Sequence, residues 1–201
     1  MSLIPPRSFG LVEENLYRSS APSEVSFPFL ETLDLKAVLF LGAHEPSRQL
    51  YAQQKNKMAL SPHPPSRVVP HPDHVLSFLR SLLWAADQNI ELIRLRAQSS
   101  EVGPLMPMSE ETLIEGLRFL LDGKNYPILV TCKFGSIFTG TLIGCLRKLQ
   151  RWNLSCIFEE YRRFAATIPS KNPQQNEQFI ELFDTDLVSI PEHAPAVLRF
   201  S

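Results

Sequence analysis

The stretch of this chain best suited to chemistry runs Ile128-Leu-Val-Thr-Cys-Lys-Phe-Gly-Ser-Ile-Phe-Thr-Gly140. Pro127 to Thr131 reads as a buried strand that delivers Cys132 to a short loop. Gly135 permits a tight turn, and a helix is predicted to begin near Thr139. Successive backbone N–H groups in such a loop can point inward, and the helix N-terminus adds positive partial charge. That arrangement holds an oxyanion and is the setting a nucleophilic cysteine needs. Cys132 is therefore a candidate nucleophile or the marker of an anion site. The competing explanation makes it a small buried residue at a strand end, as most free cysteines are.

Other reactive side chains carry less. Cys145 and Cys156 fall inside helical segments at positions suited to core packing, and Trp84 and Trp152 are expected to pack as well. His71 and His74 lie close in sequence, yet two histidines without further ligands read as exposed, and His63 adds no ligand spacing. Arg147, Lys148, Arg151, Arg162 and Arg163 read as a solvated basic face, able to attract an acidic partner or a polyanion. Arg147 is expected about two turns, roughly 10 Å or more, beyond the loop.

The elements that must position the loop alternate between strand and helix patterns. Leu16 to Arg18 is predicted as a short edge strand, Leu35 to Leu41 as a buried strand and Ile90 to Leu95 as a further strand. His74 to Asp87, Thr139 to Arg151 and Ser155 to Ala166 show helical apolar spacing. Ser109 caps another helix, with Glu110 and Glu111 in its first turn and Gly123 at its end. Asn172-Pro173 opens a last helix through Phe183. Strands between helices imply an α/β fold with a central, mostly parallel sheet flanked by helices.

Composition sets the outer limits. The chain has 201 residues, 20 Lys+Arg against 21 Asp+Glu and a net charge of −1, with 44% hydrophobic residues. Those values exclude a charged disordered tail and a strongly basic nucleic-acid binder. The longest apolar run, Ala37 to Leu41, is far too short to span a membrane, and MSLIPPRSFG has no hydrophobic signal core. Three cysteines without metal-type spacing suit reduced thiols, and a cytoplasmic location is expected. Residues 1–201 are expected to form one domain. Of the 17 prolines, five fall between Ser61 and Pro72, so residues 45–72 are read as a Pro-rich surface insertion.

Three segments carry a resemblance to a known family: the N-terminal PPRSFGLVEENLYRSSAPSEVSFPFLETLDLKAVLFL, then TLIGCLRKLQRWNLSCIFEEYRRFA, then QFIELFD. With them, the chain resembles the plant and fungal atypical dual-specificity phosphatases, a cysteine-phosphatase family, over nearly its whole length outside the insertion. The resemblance implies the dual-specificity phosphatase-like fold. It implies a loop of the form His-Cys-x5-Arg-Thr/Ser-Gly, with thiolate attack giving a phosphocysteine that water hydrolyses. The loop arginine would fork the phosphoryl oxygens. Members are associated with phosphotyrosine-type substrates and with inositol pyrophosphates. No cofactor and no metal is implied.

At the chemistry the chain departs from that pattern. Cys132, Gly135, Thr139 and Gly140 match, but Phe138 stands at the arginine position and Thr131 at the histidine position. Ser136 and Ile137 replace a polar, basic pair, which leaves Lys133 as the one cation from Cys132 through Thr139, with Phe134 beside it. A general acid would have to come from a loop such as Arg96 to Met108, where the only carboxylate, Glu101, reads as a solvated loop residue that nothing in the sequence places near Cys132.

Two functions stay open. One is a pseudophosphatase acting as a binding or regulatory subunit, in hetero-oligomers with related phosphatase-family proteins or on a phosphorylated or polyanionic ligand, without nucleic acid or membrane. The insertion and the Arg147–Arg151 face are the surfaces expected for it. The other is a low-activity cysteine-dependent phosphatase acting on phosphotyrosine or inositol pyrophosphate. A weaker third makes Cys132 a redox-sensitive thiol.

Overall fold

The computed structural model describes residues 3–42, 83–96, 108–166 and 173–198. Five strands form one sheet: β1 (Gly10–Glu13), β2 (Leu16–Ser20), β3 (Ala37–Gly42), β4 (Glu91–Arg96) and β5 (Ile128–Cys132). Their order is β1-β2-β5-β3-β4. β1 pairs antiparallel with β2, and every other pairing is parallel. The α/β expectation with a mostly parallel sheet is met. Leu16 to Arg18 is not an edge strand. β2 lies inside the sheet because β1, too short and mixed to stand out in sequence, covers its outer side.

The helices are α1 (Phe27–Glu31), α2 (Glu110–Leu121), α3 (Ile137–Leu149), α4 (Leu154–Ala165) and α5 (Pro173–Leu182), and residues 83–87 are helical as well. Ser109 caps α2 by accepting from the Thr112 N–H at 3.3 Å. Gly123 does not form a left-handed cap. Asp122 is the C-cap, and its carboxylate accepts from the Lys124 N–H at 3.0 Å.

Both faces of the sheet are covered, which is why its parallel strands read as continuous apolar runs. On one face Leu39, Leu41, Ile128, Val130 and Cys132 join the buried sides of α2, α3, α4 and α5. On the other, Val38 and Leu129 meet Leu30, Leu35, Trp84 and Ala85. Trp84 stacks on Phe27 with centroids 5.0 Å apart, the packing role expected of it. α3 is the central helix, with Leu142, Ile143, Leu146 and Leu149 all buried. The predicted insertion at residues 45–72, with His63 and His71, lies outside the described residues, as do His74 and Glu101.

Candidate anion site at the end of the central strand

β5 ends at Cys132, level with Ser20 on β2 and Leu41 on β3. The site thus sits beyond the carboxyl ends of the parallel strands, where open α/β sheets place their ligands. The Cys132 carbonyl accepts from the Ala21 N–H at 2.8 Å and from the Gly135 N–H at 3.2 Å, which closes a tight turn. Gly135 has φ of 69°, a conformation that favours glycine. The helix then starts at Ile137, two residues earlier than predicted, so Phe138 and Thr139 belong to its first turn.

Cys132 is buried, and so are Ser136 and Thr139 behind an exposed tip of Lys133 and Phe134. The Lys133 ammonium lies 4.7 Å from the Phe134 ring centroid, at the rim. Ile137 and Phe138 are half-buried, and Phe138 packs against the apolar cluster that contains Cys132. The hydroxyls of Thr131, Ser136 and Thr139 are buried and make no hydrogen bond among the described residues. Thr139 therefore offers Cys132 no hydrogen bond. The first turn of a helix always leaves N–H donors without intrahelical partners. Here those donors lie beside two buried hydroxyls.

Arg18 on β2 was given no role from sequence. It is 1% exposed and lies directly behind the loop, its Nη2 donating to the Gly135 carbonyl at 3.1 Å. Phe164 stacks on the guanidinium at 3.7 Å, and Glu160 stands 3.9 Å away. The available signal was the period of two in β2: Leu16, Arg18 and Ser20 share one face, and Leu16 is fully buried.

Arg151, Arg162 and Arg163 are exposed, as a solvated basic face requires, but Arg147 is not part of it. Arg147 is buried, because α3 is surrounded and this side of it meets β1 and α4. Its guanidinium bonds Glu13, Glu160 (2.9 Å), the Val12 carbonyl (2.7 Å) and Gln150 (2.8 Å). Trp152, half exposed rather than packed in the core, lies over that guanidinium at 4.0 Å. Lys148 bonds the carbonyls of Glu181 in the last turn of α5 and of Phe183 just after it. Arg162 forks Glu177 at 2.8 and 2.6 Å, and these bonds raise its pKa.

Cys145 is fully buried as expected, and burial pushes its thiol up. Cys156 is exposed, a second correction. Ile157, Tyr161 and Ala165 form the buried stripe of α4, and the position before that stripe faces outward. Cys156 lines an open cleft of about 740 Å³ beside Leu11, Trp152 and Arg163.

A mostly parallel sheet whose central strand ends in a cysteine loop at a helix N-terminus is the cysteine-phosphatase fold. The family model described as "Tyrosine phosphatase family" matches residues 3–63 and 74–199. The chain is 44% identical to "Probable tyrosine-protein phosphatase DG1060" of Dictyostelium discoideum, over 98% of each chain. It is 34% identical to "Inositol diphosphatase DSP3" of Arabidopsis thaliana, over 90% of this chain and 72% of that one. The core catalytic domain of the PP-IP phosphatase SIW14 from S. cerevisiae, in complex with citrate, superposes with a TM-score of 0.66 at 33% identity, covering 92% of this chain and 90% of that one. The chain belongs to the tyrosine phosphatase family.

Among the described residues no group of three or more His, Cys, Asp or Glu could hold a metal ion, and no helix is long and apolar enough to cross a membrane.

Proposed function

We propose that this chain is a pseudophosphatase: it keeps the oxyanion cradle of its family, has lost efficient phosphoryl transfer, and acts as a binding or regulatory subunit. Phe138 carries this conclusion. It occupies the place in the first turn of α3 where the family pattern calls for arginine, and it packs against the apolar cluster. A phenyl ring has no charge and no donor to fork a phosphoryl group, and loss of one transition-state donor typically costs roughly 10²–10³ in rate. Lys133, at the rim over Phe134, is a point charge and not a fork. The ligand class is a phosphorylated or polyanionic molecule, and related phosphatase-family chains are the proposed partners.

The retained Cys132 and the Gly135 turn favour a second reading, a slow cysteine-dependent phosphatase acting on phosphotyrosine or inositol pyrophosphate. Hydrolysis of an aryl phosphate and of an inositol pyrophosphate, by the chain and by Cys132→Ser, separates the two. Background rates unchanged by Cys132→Ser are expected. A rate that Cys132→Ser abolishes would establish the slow enzyme.

A further inference from the structure

Among the described residues Arg18 is the largest fully buried side chain. A buried guanidinium is costly unless its donors are used and its charge is matched. Its charge is matched by Glu160 at 3.9 Å and by the Phe164 ring at 3.7 Å, while its Nε makes no hydrogen bond among the described residues. A third contact, the bond from Nη2 to the Gly135 carbonyl at 3.1 Å, reaches across to the loop. Gly140 makes room for the neighbouring Tyr161 ring, from which a Cβ would stand only 2.9 Å, and leaves Arg18 Nη2 in ordinary contact at 3.5 Å.

The peptide plane turns this contact into an instruction. In a trans peptide the C=O of one residue and the N–H of the next point in opposite directions. A Gly135 carbonyl held from behind by Arg18 therefore sends the Ser136 N–H to the other side. The Ser136 and Thr139 hydroxyls, both buried and without partners among the described residues, belong to the same turn.

We infer that Arg18 is a positioning residue of the loop: it fixes the Gly135–Ser136 peptide so that its N–H serves a bound phosphate, and it supplies buried positive charge behind Cys132. This deepens the proposed anion-binding function and rests on it. The charged and titratable groups acting on Arg18 are Glu160 and Arg163 of α4, Arg147 of α3 and Cys132 of β5, while Tyr161 of α4 senses both Arg18 and Cys132. Burial lowers the Arg18 pKa to about 10, opposed first by Glu160 and then by Cys132, so the guanidinium stays charged at neutral pH.

The test is a titration of the ¹⁵N-labelled full chain with inorganic phosphate, followed by NMR at the Ser136 amide. Wild type is expected to shift that signal on saturation. Arg18→Gln, where its remaining spectrum shows the native fold, is expected to lose the Ser136 response and about tenfold or more in phosphate affinity. Glu160→Gln keeps Arg18 and its bond and removes the facing negative charge, so phosphate should bind about two- to fivefold more tightly. This second variant, whose amide oxygen can still accept from Arg147 Nε while Glu13 keeps that guanidinium compensated, decides the matter where Arg18→Gln does not fold. A Ser136 response and affinity retained in folded Arg18→Gln, or an affinity unmoved by Glu160→Gln, would overturn the role of Arg18 alone. No loop response in wild type would overturn the anion-binding function, and this inference with it.

Discussion

Gly135 lies against the backbone of Ser20: a Cβ built on it would stand 2.5 Å from the Ser20 nitrogen and 2.6 Å from the Ser19 carbonyl carbon. Backbone cannot yield as a flexible side chain would, and φ of 69° already disfavours any L side chain. Gly135→Ala is expected to destabilise the protein by roughly 2–5 kcal/mol, combining backbone strain with overpacking. Urea unfolding measures it. A loss well under 1 kcal/mol would mean that the loop does not press on the end of β2.

Arg147 ties β1 to α4 through Glu13 and Glu160. Removing one member of a buried ionic group leaves the others uncompensated. Arg147→Met is expected to cost about 3–5 kcal/mol in urea unfolding. A surface arginine would cost less than about 1 kcal/mol, and that result would restore the solvated face expected from sequence.

Alkaline pH should unfold the chain in a definable window. Burial raises the Tyr126 and Tyr161 hydroxyls and the Cys145 thiol above their ordinary values of 10.0, 10.0 and 9.0. Each group keeps its proton in the fold after the unfolded chain has released its own. The stability they contribute is therefore complete below about pH 9 and is lost as pH rises further. Each proton so held steepens the loss by about 1.4 kcal/mol per pH unit. Arg18 runs the other way: burial lowers its pKa to about 10, so the cost of its buried charge is relieved only as pH rises above that value. Urea midpoints should stay level from pH 7.5 to 8.5 as far as these groups go, then fall by pH 10. Tyr161→Phe should flatten the upper part of the fall. Undiminished stability at pH 10.5 would contradict the burial of these groups.

The parts of the fold that alternation and caps describe were readable in advance: β3, β5, the Ser109 cap and the buried stripes of α3 and α4. So was the loop, because Cys132 ends an apolar strand and Gly135 supplies the positive φ of the turn that follows. The partnerships were not. Nothing local in LYRSS says that Arg18 will meet Gly135, 117 positions away. Arg147 looked solvated because its partners, Glu13 and Glu160, lie on other elements. Cys156 and Ile157 differ by one residue, which is enough on a helix to separate solvent from core.

The most direct measurement of the central claim is a rapid acid quench of the chain mixed with an aryl phosphate, followed by a mass-spectrometric search for phosphate on Cys132. Wild type is expected to show no phosphocysteine above the Cys132→Ser background, and Phe138→Arg is expected to show some, short of full activity because Thr131 remains. A stoichiometric phosphocysteine in wild type that then hydrolyses on the timescale of turnover would contradict the account.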